Sequence, residues 1–356
     1  MKINSQKRED NKVFIEVEDD YSRFEQAVSK ALAEAGKEIR LPGFRPGKAP
    51  KEMIEKAIDR EYIESRAAQD MISESYPRII TDGKIDPVDY PNVEIIQKEI
   101  GKPFIYKINV AVYPLVKLGK YKGLKAEKIS SEVTEQDVLT VLGNLQARFA
   151  VSNAEGKKDL LPLDDEFAKR VSRFGSLAEL KEEVRTAIQN EKSAEAESDL
   201  KNKLIAAAVS DTKVDIPPAM IEREIDVMLD ELKTSLAQSG LTLEDYLKGT
   251  KKEEKALREE MHKSAEIRVR GKVVLKAVAE AEKIDATDED LRVELKEMAE
   301  STGQKPEELE QNMGEDGKRY VRDYLLRRKA LDLLIDNATI KPAPAVKQEA
   351  KGEEKE

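Results

Sequence analysis

Leu41 to Pro50 reads LPGFRPGKAP, and the rest of the chain is best read outward from it. Pro42, Pro46 and Pro50 remove backbone donors, and Gly43 and Gly47 lose the most backbone entropy on ordering, so the stretch excludes a helix. Both flanks favour one. Across Tyr21 to Ile39, residues Phe24, Ala27, Val28, Ala31, Leu32 and Ala35 recur at three- and four-residue steps, the stripe of an amphipathic helix. Gly36 and Pro42 end it. Pro50 suits the first turn of a second helix, with Met53, Ile54, Ala57 and Ile58 as its stripe and helical pattern resuming to about Ile80. The stretch is a stiff loop between two helices. Proline and glycine serve any turn, but a turn tip normally carries small polar residues. Phe44 breaks that habit, and Arg45 and Lys48 stand beside it. Lys37 to Lys51 holds five cations (Lys37, Arg40, Arg45, Lys48, Lys51) against one acid, Glu38. A plain turn and a docking element, with Phe44 filling a pocket and Arg45 forking onto phosphate or carboxylate, both fit these residues.

Working outward, Lys12 to Val17 alternates Val13, Ile15 and Val17 on one side, a strand pattern. Val93 to Lys98 and Pro103 to Val112 read as a hairpin around Gly101. The predicted order is β-α-loop-α-β-β, an α+β domain over residues 1–113. Residues 114–132 form an extended linker. Thr134 then caps a helix to about Phe149 carrying Val138, Val141, Leu142 and Leu145 on one face. Residues 150–163 are a short polar joint. An all-α, multi-helix domain with extended arms is expected over 133–341. Between Gly175 and Pro217 lie 41 residues without Gly or Pro. Pro217 and Pro218 open a helix striped with Ile221, Ile225, Met228, Leu229, Leu232 and Leu236, and a long helix is expected over about Thr250 to Ile284. Thr287 caps another, and the last runs over about Lys318 to Asn337. Residues 342–356 are mixed-charge and expected to be disordered. VTEQDV and ATDEDL look alike, which shared capping chemistry explains, so no internal repeat is expected.

Composition excludes several chemistries. There is no Cys, which removes disulfides, thiolate zinc sites and Cys nucleophiles. His262 is the one histidine, which argues against Ser-His-Asp catalysis and reads as a solvated helix residue. Charged residues reach 38% and aromatics 5%, a balance that suits long solvated helices. The net charge of −10 argues against wholesale nucleic-acid binding. MKINSQKREDNK at the start has no apolar core of a signal peptide, and Leu204 to Val209, the longest apolar run, is far too short for a membrane span, so a soluble cytoplasmic protein is expected. No phosphate loop, dinucleotide, nucleophile-elbow or zinc-protease motif occurs, so no catalytic residue, cofactor or metal is expected. Asp164 to Glu166 reads as the acidic first turn of a helix. Met220, Met228, Met261 and Met298 fit either helix packing or an adaptable surface for apolar partners.

GFRPGKAP at 43–50 resembles the ribosome-docking signature of the trigger factor family, G-F-R-x-G-K-x-P. Gly43, Phe44, Arg45, Gly47, Lys48 and Pro50 match it; Pro46 stands where the family often has Lys. LPLDDEFAKRVSRFGSLAELKEEVR (161–185), DIPPAMIEREID (215–226), AEAEKIDATDEDL (279–291) and YLLRRKALDLLIDNATI (324–340) resemble, in order, its C-terminal helical domain. The resemblance implies an ATP-independent chaperone that docks beside the ribosomal exit tunnel, on protein and RNA, and shields nascent or unfolded polypeptides without a membrane partner. It allows a homodimer away from the ribosome. The family normally carries an FKBP-like prolyl isomerase domain, but only residues 150–163 stand at its place, fourteen where roughly 40 is a floor for an unassisted fold. No isomerase activity is therefore expected. The alternatives are a prolyl isomerase, or a helical chaperone or adaptor without ribosomes. Clients are expected on a concave face lined by Met220, Ile221, Met228, Leu232 and Met261.

Overall fold

The computed structural model describes residues 1–38, 53–54, 57–152 and 158–343. The chain divides into two compact units, one of residues 1–117 and 214–273, the other of 118–213 and the residues from 274 on.

In the first unit, strands β1 (Lys2–Glu9), β2 (Lys12–Asp19), β3 (Asn92–Gln97) and β4 (Phe104–Ala111) form an antiparallel sheet in the order β1-β2-β4-β3. Strand alternation turns Val13, Ile15 and Val17 of β2 and Phe104, Tyr106, Ile108 and Val110 of β4 to one buried face. Helices α1 (Tyr21–Glu38) and α2 (Arg60–Asp82) pack in the same core with Phe24, Leu32, Ile63, Ala67 and Ile79. Phe24 stacks on Phe104 with centroids 4.4 Å apart and planes at 5°. The sheet has one strand more than the sequence pattern predicts. In β1, KINSQKRE, no alternation of apolar residues is visible, because all but Ile3 are exposed at the sheet's edge. Its pairing with β2 comes from a two-residue turn in which Asp10 takes φ 50°, the left-handed conformation that such hairpins need.

The same unit contains α6 (Pro218–Gln238), α7 (Leu243–Thr250) and α8 (Glu254–Ala281) as far as Val273. Asn11 donates to the Asp215 carbonyl and carboxylate at 2.8 and 2.9 Å, and Arg8 donates to the Tyr113 carbonyl at 2.8 Å. The long helix expected from Thr250 starts instead at Glu254, because Lys251 turns left-handed (φ 56°) and closes α7.

The second unit holds α3 (Glu135–Arg148), α4 (Asp165–Val171), α5 (Leu177–Ser210), the last turns of α8, α9 (Asp288–Thr302) and α10 (Pro306–Asp336). Asp164 caps α4, accepting from the Phe167 amide at 2.8 Å, and Asp165 and Glu166 form its first turn, the role read from the sequence. The last helix begins earlier than Lys318: Gly314, at φ 63°, kinks it, and Leu309 and Met313 before the kink pack in the α9–α10 cluster. Two short pairings escape periodicity. β5 (Lys125–Lys128) lies in the linker and runs parallel to β8 (Thr339–Pro342), so strand pairing continues to Pro342, where the tail was expected to begin. Within the polar joint, β6 (Val151–Ser152) pairs with β7 (Lys158–Asp159).

The likeness of VTEQDV and ATDEDL goes beyond capping. In α3, Thr134 and Asp137 form a capping box. Lys192 of α5 donates to the Asp137 carboxylate at 2.6 Å and to the Glu132 carbonyl at 3.1 Å, and Arg185 pairs with Glu135. In α9, Thr287 and Asp290 form the same box. Lys329 of α10 donates to the Asp290 carboxylate at 2.6 Å and to the Asp285 carbonyl at 3.0 Å, and Arg322 pairs with Asp288. TEQDVLTVL (134–142) corresponds to TDEDLRVEL (287–295), and VRTAIQNEK (184–192) to VRDYLLRRK (321–329). One clasp is built twice, contrary to the expectation of no repeat. The basic partners come from a helix more than thirty residues away, so capping motifs alone did not disclose it.

The clasp gives a pH signature. The Lys192 hydrogen bond, with those from the Thr134 amide and hydroxyl, lowers Asp137 from 3.8 to about 2. Lys329 and Thr287 do the same for Asp290, also to about 2. A depressed folded-state pKa adds stability that is present above the unfolded value and lost as pH falls through the folded one. The second unit should therefore lose stability between about pH 4 and pH 2. Urea titrations across that range should show a shallower loss for Asp137→Asn/Asp290→Asn than for the wild type; parallel curves would show that the clasps do not titrate this way.

Candidate client-binding surface and docking loop

The residues assigned to ribosome docking, Gly43, Phe44, Arg45, Gly47, Lys48 and Pro50, lie outside the described residues. The described residues at the loop's stem are packed. Ile54 is buried, and a Cβ on Gly36 of α1 would stand 2.7 Å from its Cδ1, so the glycine allows a close approach there. Ile54 joins the cluster that covers the sheet, which ties the second half of the stem to the core.

The expected client residues fall on α6 and α8. Ile216, Ile221, Ile225 and Leu229 form a buried cluster with Leu257, Ala265, Val269 and Val273. Met220, Met228, Leu232 and Met261 are half-buried around it. Ile221, at 7% exposure, belongs to the core and offers no client surface. The four others present only their outer edges. The stripe spacing that singled them out is the spacing that packs helices, so periodicity cannot separate the two uses.

Three apolar side chains that the stripe did not include stand out instead. Val227, Leu241 and Ile267 are 45%, 47% and 59% exposed. Val227 joins Asp230, Glu231, Thr234, Ser235 and Gln238 on one side of α6, around a shallow recess of about 500 Å³. Each is an isolated hydrophobe among charges, and no periodic signal marks it.

Ion pairs fasten these helices. Arg258 donates to Asp226 at 2.7 Å and to Glu222 at 3.0 Å, and Arg268 donates to Glu231 at 2.8 Å. Glu224, 6% exposed, is paired with Lys272. Two cations on α8 therefore hold three acids of α6's outer side, which leaves Val227 and the methionine edges as its apolar content. The arrangement suits weak, non-directional contact with apolar side chains, at about 25 cal/mol per Å² buried. Among the described residues no group of acids and histidine could hold a metal, and no helix is long and apolar enough to cross a membrane.

Family models match two stretches. That of the bacterial trigger factor protein matches residues 1–145, and that of the bacterial trigger factor C-terminus matches residues 176–336. Trigger factor of Geobacillus thermodenitrificans is 31% identical over 429 positions, covering 96% of this chain and 100% of that protein. Those of Caldicellulosiruptor bescii and Moorella thermoacetica are each 29% identical and cover 96% and 99% of this chain, and 97% and 98% of their own length. The C. bescii alignment spans 426 positions against 356 residues here, so that relative has at least 70 positions this chain lacks. A solved trigger factor chaperone, studied for promiscuous substrate recognition in folding and assembly, shares the fold at TM-score 0.54 and 20% identity, covering 94% of this chain and 99% of that one. The chain belongs to the trigger factor family of ribosome-associated chaperones.

Proposed function

We propose that this chaperone docks beside the ribosomal exit tunnel through Phe44, Arg45 and Lys48 and shields emerging polypeptides without using ATP. The observation that carries the reading is GFRPGKAP itself, an aromatic and two cations held by prolines and glycines on an otherwise acidic protein. Docking by one loop buries little surface, plausibly below about 1,200 Å² in total, so contact is transient and the chaperone leaves with each finished chain. Pro46 takes away one cation that the family pattern often supplies, which lowers the electrostatic share of the contact. The work is cytoplasmic, where ribosomes emit their chains. Sedimentation with ribosomes at low and high salt tests the reading: binding should be present at low salt and weaken as salt rises, since exposed cations are screened. No co-sedimentation at low salt would refute it.

Clients meet the edges of Met220, Met228, Leu232 and Met261 together with Val227, Leu241 and Ile267. Changing Val227, Leu241 and Ile267 to Ser should weaken suppression of aggregation several-fold while leaving ribosome binding unchanged. Equal suppression by wild type and variant would move the client site elsewhere.

The chain works without an isomerase domain. The two family matches leave thirty residues, 146–175, between them, and much of that stretch belongs to α3 and α4. Purified protein should leave the exchange of an Xaa-Pro peptide at its uncatalysed pace of tens of seconds or more. Clear acceleration would show that another site does this chemistry.

A further inference from the structure

The doubled clasp supplies an internal control. The α3–α5 and α9–α10 pairs use equivalent residues for the same three contacts, so equivalent positions outside the clasp reveal what each copy adds. On α5, the residue before Val184 is Glu183, the third after it is Ala187, and the second before Lys192 is Asn190; all three are exposed. On α10 the equivalent positions hold Tyr320, Tyr324 and Arg327. Tyr320 is 69% and Tyr324 43% exposed. The first copy keeps its clasp with Glu and Ala at these places, so packing does not require tyrosine there.

Spacing of four and then three residues puts Tyr320, Tyr324 and Arg327 on one face of α10. The Arg328 guanidinium lies 5.9 Å from the Tyr324 ring centre and also donates to Glu294 at 2.6 Å, which fixes that side of the ring. Lys318 to Lys329 carries six cations and one acid, Asp323. Acids answer five of them: Glu310 and Glu315 for Lys318, Asp316 for Arg319, Asp288 for Arg322, Glu294 for Arg328 and Asp290 for Lys329. Arg327 has no ion pair among the described residues. Two exposed aromatic rings beside an uncompensated cation match the chemistry that dominates protein contact sites.

We infer that Tyr320, Tyr324 and Arg327 form a client-binding face that takes an apolar or aromatic side chain flanked by a carboxylate, from an extended polypeptide. The inference rests on the proposed client reading and adds a place and a charge preference to it. The rings cover the apolar side chain, and Arg327 pairs with the neighbouring Asp or Glu.

The probe is a Gly/Ser peptide with one photoreactive benzoylphenylalanine between two Glu residues, used with the full chain at low salt. It should label α10 around residues 317–331. Tyr320→Glu/Tyr324→Ala, which installs the residues of the first copy, should keep the fold by circular dichroism and lower labelling at least threefold. Arg327→Gln should abolish the preference for the Glu-flanked peptide over a Lys-flanked one. Labelling confined to other regions, or equal labelling of α10 in wild type and the double variant, would overturn the inference. Suppression of client aggregation by the wild type is measured in parallel. If it occurs without labelling of α10, this face is wrong and the client reading stands; if neither occurs, both fall.

Discussion

Phe44→Ala/Arg45→Ala/Lys48→Ala should lose ribosome binding and keep its fold. The three changes fall on a loop whose described stem, at Gly36 and Ile54, is packed independently of them. An aromatic anchor at an interface is worth about 2 kcal/mol, roughly 30-fold in Kd, before the two cations are counted. With so small an interface there is little else to retain the chain, so the triple variant should stay in the supernatant when wild type sediments. Hydrogen exchange in β2 and β4 should match wild type. Normal co-sedimentation of the triple variant would remove the loop from the docking mechanism. Lys48→Arg keeps the charge and should bind nearly as wild type does, which separates a loss of charge from a disturbed loop.

Phe104→Ala should cost the first unit more than any surface change. Phe104 is fully buried in β4, stacks on Phe24 of α1 and lies 5.4 Å from Tyr106 between ring centres. Removing a buried Phe costs about 3–5 kcal/mol, from lost burial and from the cavity left behind. Domains are stable by about 5–15 kcal/mol in all, so this one change takes a large share. Amides of Val13 to Val17 and Tyr106 to Val110 should exchange on the order of 10²–10³-fold faster when exchange follows global opening of this core. An unchanged rate would mean that the α1-sheet contact does not limit that opening.

How much was legible depends on what kind of signal each element gives. Helices α1, α5 and α6 bury one stripe each over many residues, and their starts are marked by capping residues or prolines, so spacing exposes them. β2 and β4 bury alternate residues and are equally visible. β1 is an edge strand wet on both sides and writes no alternation into its sequence. β5 and β8 are four residues each and pair across more than two hundred positions, a distance no local pattern spans. Of the candidate site, the docking loop was legible because Phe44 contradicts the turn that surrounds it. The client residues were only half legible: Ile221 and the methionines share a spacing, and that spacing is the same for a core residue and an exposed one.

The sequence by itself determined the α+β start, the helical remainder, the absence of cysteine chemistry and the family to which the docking motif points. These follow from composition, period and motif, which are properties of neighbours along the chain. Tertiary structure decided which side of each stripe is covered, turning Ile221 inward and leaving Val227 and Ile267 in water. It also decided that Lys192 and Lys329 close equivalent clasps on Asp137 and Asp290. Burial and ion pairing depend on what stands across from a side chain, and that partner is set by the fold, not by the residues next to it.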